Sequence, residues 1–297
     1  MQAEKLTFKN KAEWLSERKN GIGGSDSPVI LGVSPFKGKL DLWAEKRGLV
    51  DGAEETEAMR WGTRLQEAIR QGYEEDTRRA VLDQGIHTFV NKQFDYIRAS
   101  VDGLIVPLKG QNHPWIWEAK STGYVTERDL ADDFPLHWEV QVQHEMFALG
   151  LSNASLAVLV RGNKLRWKDM ERNDAFIEEM LKREIAFWES VVKGVAPEAD
   201  DKESTARTLS RLYPKDTGHR LSLPSEAASC DWKRQEAIEA IKDAESQKRE
   251  AENHIKQMMG DATFGNLPGG IEYSWKWGQR KGYEVKESEF RTLRRKG

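Results

Sequence analysis

The chain has 297 residues, a net charge of −3 and 38% hydrophobic residues, enough apolar material for one large domain or a core with a smaller appendix. Charged residues make up 32%, which implies a well-solvated folded surface and excludes disorder; the near-neutral balance excludes a strongly basic protein that coats duplex DNA, but not an enzyme that holds DNA in a local channel. The single cysteine, Cys230, excludes a disulfide within the chain and a cysteine-based zinc site, and fits a reducing cytoplasm.

The opening residues MQAEKLTFKNKAEWL hold no apolar signal core, and no segment approaches 18 apolar residues, so a soluble cytoplasmic protein without a membrane span is expected. A first helix is expected from Lys11 to Lys19, capped by Asn10. The glycine-dense turn GIGGSDSPVILG follows, then a helix from Leu40 to Arg47 that ends at Gly48. A third helix is expected from Glu57 to Glu75, with Trp61, Leu65, Ala68, Ile69 and Tyr73 at helical spacing. The stretches QFDYIRASVDGLIVPL and PWIWEAKST read as strands separated by the turn KGQNHP. A helix from Leu136 to Leu149, a buried strand ASLAVLV, a hairpin turn at Gly162-Asn163 and a strand KLRWKDME come next. The helix from Asn173 to Lys193 carries a wide apolar stripe that includes Phe176, Ile177, Met180, Leu181, Phe187 and Val191.

This order gives a mixed α/β core over residues 1–195. Residues 196–224 read as a linker or extended segment, and 225–297 as a helical and β-hairpin appendix. In its long helix, Ala237, Ile241, Ala244, Lys248, Ala251, Ile255 and Met258 form a weak heptad seam. A helical hairpin within the chain is the expected use of that seam, and a partner helix the alternative. The tail FGNLPGGIEYSWKWGQRKGYEVK reads as a terminal β-hairpin.

The chemistry centres on the two central strands. Glu118 and Lys120 are two apart in WIWEAKST and share a face, while Ala119 points away and leaves its carbonyl at the edge. If the two strands are neighbours, Asp102 in ASVDGLI reaches the same pocket. Two carboxylates and a carbonyl suit Mg²⁺ or Mn²⁺, which prefer hard oxygen ligands, and a lysine beside them suits phosphodiester hydrolysis. The triplet alone has little specificity, because it recurs at Glu17-Arg18-Lys19 and Glu284-Val285-Lys286. An acid on the buried-looking WIW strand is costly without a task or a partner.

The strings GIGGSD…ILGVSPFKGKLDLWAEKRG, MRWGTRLQEAI, SVDGL, WEAK and VQVQHEMFALG, in that order over residues 14–195, resemble the YqaJ-type viral recombinase family. These are phage-type exonucleases related to lambda exonuclease and the wider PD-(D/E)xK nucleases. The resemblance implies a restriction-endonuclease-like core with a mixed central sheet flanked by helices. It also implies Mg²⁺-dependent 5′ to 3′ hydrolysis of linear double-stranded DNA, by two ions. Asp102 and Glu118 would be metal ligands with the Ala119 carbonyl, and Lys120 the catalytic lysine. Arg18 and Ser25 match positions that grip a terminal 5′-phosphate, which suits a guanidinium fork beside glycines. Gln143, on one helix face with Phe147, matches a glutamine near the reacting strand, with Gln141 the neighbouring candidate; His144 reads as a core or surface histidine. The family has a glutamate where this chain has Gln66, with Glu67 turned about 100° away on the helix, and this puts the second metal site in doubt. Partners implied are DNA ends, a single-strand annealing protein and further copies of the chain in a ring, a trimer by resemblance. Two other readings stay open: an endonuclease of the same fold, and a DNA-end-binding or protein-interaction module on a nuclease core, to which Gln66 leans.

Overall fold

The computed structural model describes residues 2–295 except 53–54, 108–109, 124–133, 280–281, 283–286 and 288–289. The chain divides into two compact units, Met1–Pro214 and Lys215–Gly297. The first unit runs β1 (Ala3–Thr7), α1 (Lys11–Glu17) with a 3-10 turn Arg18–Asn20, α2 (Ser27–Ile30), α3 (Lys39–Lys46) and α4 (Glu57–Thr77). The short strands β2 (Val81–Asp83), β3 (His87–Asn91), β4 (Arg98–Ala99) and β5 (Gly103–Ile105) lead to β6 (Trp115–Thr122). The unit closes with α5 (Leu136–Leu149), β7 (Asn153–Val160), β8 (Lys164–Glu171), α6 (Asp174–Lys193) and α7 (Glu203–Leu212).

Local chemistry sets the helix ends. The Asn10 side chain accepts from the Glu13 N–H at 3.0 Å, and Asn173 from the Phe176 N–H at 3.0 Å, so α1 and α6 begin at side-chain caps. Helix α5 stops at Gly150, which adopts φ 68°.

A five-stranded sheet in the order β2-β5-β6-β7-β8 forms the centre. β6 and β7 are parallel, with Glu118 beside Leu156 and Lys120 beside Val158, and the other pairs are antiparallel. Alternation along β6 divides its side chains between two apolar layers. Trp117 packs with Ile69 and Tyr73 of α4 on one face, while Ile116 packs with Val142, Met146 and Leu149 of α5 on the other. Glu118 and Lys120, in phase with Ile116, therefore face α5. Trp117 is fully buried against Tyr73, with ring centroids 6.1 Å apart, and a buried aromatic of this kind stabilises by roughly 3 kcal/mol or more.

The stretch QFDYIRASVDGLIVPL, expected as β with Asp102 at a strand end, holds two short strands. β4 pairs with β3 in a separate three-stranded sheet, β1-β3-β4, whereas β5 pairs with β2 and β6. The chain changes sheets at residues 100–102, and this frees Asp102 from the ladder. Gly103 is required at the crossing, since a Cβ there would lie 2.5 Å from Val81 Cγ1 and 3.2 Å from the Trp117 ring. The β7–β8 turn is centred on Arg161 and Gly162, at φ 50° and 78°, one residue earlier than the expected Gly162-Asn163.

The stretch 196–224, expected as a linker, contains α7. Thr205 and Thr208 are buried, the Thr205 hydroxyl donates to Asp200 at 2.5 Å, and Lys202 donates to the Ser34 carbonyl, so the first unit extends to Pro214.

The second unit holds α8 (Glu226–Met259) and an antiparallel hairpin of β9 (Phe264–Asn266) and β10 (Glu272–Ser274). Among the described residues α8 is its only helix and buries no side chain; Ile241 is 58% exposed and Met258 78%. Among the described residues the expected helical hairpin does not form, because three alanines and Lys248 leave the seam little apolar area to bury. The rest of the expected tail hairpin, including Glu284-Val285-Lys286, falls largely outside the described residues. Among the described residues no helix is long and apolar enough to cross a membrane.

Candidate active site

β5 begins at Gly103, opposite Trp117, so β6 has no β5 neighbour beyond that point. Asp102 takes the vacated position: its Oδ2 accepts the Ala119 N–H at 2.8 Å. In a strand the N–H and C=O of one residue point to the same side, which turns the Ala119 carbonyl toward this edge as well. On the α5 face, Glu118 Oε1 accepts from Lys120 Nζ at 2.6 Å and from Gln141 Nε2 at 2.7 Å. Lys120 Nζ also donates to Gln141 Oε1 at 3.0 Å, and Gln141 Nε2 to Glu145 Oε1 at 2.9 Å.

Glu118 is 3% exposed and its Oε2 has no hydrogen-bond partner; the same holds for Glu145, 1% exposed. Burial, and then the Glu118 charge, push the Asp102 carboxyl up to about 7. Burial and then Glu118 raise Glu145 well above the usual carboxylate range. Burial acts to lower the Lys120 ammonium, but Glu118 and Asp102 outweigh it and raise it, so Lys120 is a cation here. Three acids thus crowd around one lysine. Among the described residues no three His, Cys, Asp or Glu side chains form a set able to hold a metal by themselves. The oxygen donors at this edge are two carboxylates and a main-chain carbonyl, a set that could hold a hard divalent cation.

These groups line a cavity of about 230 Å³, with Asp102, Glu118, Gln141 and Glu145 joined by Trp14, Arg18, Gly24, Ser25 and Arg98. Arg18 Nη2 donates to the Ser25 hydroxyl at 2.8 Å, and its guanidinium lies 5.0 Å from the Trp14 ring centroid. The glycine turn lets the backbone approach α5: a Cβ on Gly24 would overlap the Glu145 carboxylate and lie 2.9 Å from its Cγ. Gly24→Ala is accordingly expected to cost about 1–3 kcal/mol in a denaturant titration; an unchanged midpoint would mean that the Glu145 side chain moves aside freely.

Arg18, Ser25, Asp102, Glu118, Lys120 and Gln141 are therefore brought together. Gln143 is not. It is two residues from Gln141 on the helix, and its amide bridges the Glu171 carbonyl at 2.8 Å and the Asn173 N–H at 2.9 Å, which ties α5 to the start of α6. Gln66 lies on the α4 side, where its amide reaches the Asp102 main-chain carbonyl at 3.4 Å, and Glu67 bonds Arg70 and Gln71. His144 is a core histidine: Nδ1 faces Glu184 Oε1 at 2.8 Å and Nε2 the Arg98 carbonyl at 2.9 Å. The sequence reading missed Glu145, whose signal was its position four residues after Gln141 on one helix face.

Comparison with known proteins bears on what this site serves. The model of the YqaJ-like viral recombinase domain matches residues 13–152. The uncharacterized protein YqaJ of Bacillus subtilis (strain 168) is 34% identical over 280 residues, 90% of this chain and 83% of that protein. The chain belongs to the YqaJ family. Its fold is shared with an alkaline exonuclease, LHK-Exo of Laribacter hongkongensis, at a TM-score of 0.53 and 20% identity over 68% of this chain and all of that one. A structure of LHK-Exo in complex with dAMP gives a TM-score of 0.52 at the same identity and coverage. The core of this YqaJ-family chain is thus the restriction-endonuclease-like fold, a mixed sheet flanked by helices.

Proposed function

We propose that the chain is a Mg²⁺-dependent deoxyribonuclease that hydrolyses linear duplex DNA from its ends, 5′ to 3′, in phage-type recombination. The observation that carries this reading is one cavity with Asp102 and Glu118 on one wall, Glu118 bonded to Lys120, and Arg18, bonded to Ser25, on another. The alkaline exonuclease fold supports it.

The residues present fit a divalent cation. Glu118 Oε2 is buried without a partner, and the Asp102 carboxyl is pushed up by burial and then by Glu118, a conflict that a bound cation would relieve. Asp102, Glu118 and the Ala119 carbonyl would hold it, with Mn²⁺ an acceptable substitute. Such a cation supplies a Lewis acid for the phosphodiester. Lys120 spends two of its three N–H groups on Glu118 and Gln141, and the third is free to orient the attacking water or steady charge on the phosphoryl oxygens. Gln141 fixes Glu118 and Lys120 relative to each other. Gln66 supports the Asp102 main chain through its amide, so a second ion has one acid fewer at that place. Arg18 and Ser25 hold the terminal 5′-phosphate by charge-assisted hydrogen bonds. A homo-oligomeric ring, a trimer by the family resemblance, a single-strand annealing partner and a cytoplasmic site of action complete the reading.

The test is digestion of linear duplex DNA in Mg²⁺ or Mn²⁺, comparing 5′-phosphorylated, 5′-hydroxyl and closed circular substrates. Loss of the phosphorylated linear substrate, with circles intact, is the expected result. Cut circles would make the chain an endonuclease, and no cleavage of any substrate would leave a binding module.

A further inference from the structure

Behind the Arg18–Ser25 wall lies an ion pair that does not line the cavity. Lys46, at the end of α3, places its Nζ 2.6 Å from Asp26 Oδ2; the two side chains are 6% and 7% exposed. The same ammonium donates to the Arg18 main-chain carbonyl at 2.7 Å, and Asp26 Oδ2 accepts the Gly23 N–H at 2.9 Å. Asp26 directly follows Ser25, and its Oδ1 is 4.0 Å from Arg18 Nη2. The pair therefore holds the main chain on both sides of the glycine turn while facing the guanidinium from behind.

The charges decide what that contact does. Arg18, Asp26 and Lys46 sum to one positive charge. Without Lys46 the sum is zero, and Asp26 becomes an internal partner for Arg18 in a water-poor setting where charge pairs are strong. We propose that Lys46 is a positioning residue for the phosphate corner: its ammonium engages Asp26 and so leaves the Arg18 guanidinium free for the 5′-terminal phosphate of DNA. Burial acts to raise the Asp26 carboxyl, but Lys46, Arg18 and Lys37 outweigh it and hold it well below the carboxylate range, so Asp26 is an anion while Lys46 is in place. Buried pairs often add little to stability, and this one serves the selection of DNA ends. The inference rests on Arg18 and Ser25 as the phosphate site.

The readout is the ratio of digestion rates on 5′-phosphorylated and 5′-hydroxyl linear duplexes, with the full chain in Mg²⁺. Lys46→Gln keeps an amide N–H for the Arg18 carbonyl but loses the charge, and is expected to lower the ratio by about tenfold. Asp26→Asn/Lys46→Gln removes the competing anion and is expected to restore the parent ratio. If Lys46→Gln fails to fold, the double variant decides: a parental ratio supports the proposal and a collapsed ratio overturns it. A purely structural role would lower both rates together and leave the ratio at its parent value, which also overturns it. Arg18→Ala separates the two readings. A ratio falling to near one in Arg18→Ala but unchanged in Lys46→Gln overturns the role of Lys46 alone. A parental ratio in Arg18→Ala overturns the phosphate reading and this proposal with it.

Discussion

Lys120→Ala is expected to reduce DNA cleavage by about 10³-fold or more, the scale seen when a preorganised charge aimed at a transition state is removed. The structure gives the reason. Lys120 is the cation among three acids, and its bonds to Glu118 and Gln141 fix its direction. Alanine leaves nothing that can reach the position its ammonium takes. Folding should survive, because Glu118 keeps the Gln141 donor at 2.7 Å. Single-turnover digestion of a linear duplex beside a thermal melt separates the two effects. A variant that melts like the parent and retains more than about a tenth of its rate would remove Lys120 from the chemistry.

The site was legible in the sequence where strand alternation governs it. Ile116, Glu118 and Lys120 keep one phase on β6, so their common face follows from spacing alone, and Asp102 follows from the adjacency of two strands. The glutamines were harder. Helix α5 buries Val140, Val142, Gln143, His144, Glu145, Met146, Ala148 and Leu149, which between them cover the helix all round. A helix without a polar stripe does not announce which side meets the site, so Gln143 stood ahead of its neighbour Gln141, and Glu145 was not singled out. One short element was lost for a different reason. The three-residue strand β2 carries too few alternations to register, and it persists because long-range pairing holds it. The Lys46–Asp26 pair joins the end of α3 to the glycine turn across twenty residues, and no local pattern predicts such a contact.

Loss of the buried pair His144–Glu184 is expected to have the largest effect on stability. Both side chains are fully buried, and both imidazole nitrogens face acceptors, Glu184 and the Arg98 carbonyl. An imidazolium, a donor at both nitrogens, satisfies both acceptors. Burial acts to lower its pKa, but Glu184's charge and hydrogen bond and the Arg98 carbonyl outweigh it, and the group is raised above 6.5. Truncation to His144→Ala strands the Glu184 carboxylate and is expected to cost about 3–5 kcal/mol. The pH dependence has a definite sign. A raised histidine contributes its full stabilisation below its ordinary value of 6.5, and loses it as pH rises through the raised value. The parent's denaturation midpoint should thus decline above pH 6.5 relative to that of His144→Gln/Glu184→Gln, which lacks the imidazole. Parallel curves over pH 6 to 9 would show the pair to be uncharged. The consequence extends to the site, because Arg98 lines the active cavity and forms an ion pair with Glu17 on α1. A buried charge that fastens α5, α6 and β4 together keeps that wall of the cavity in place.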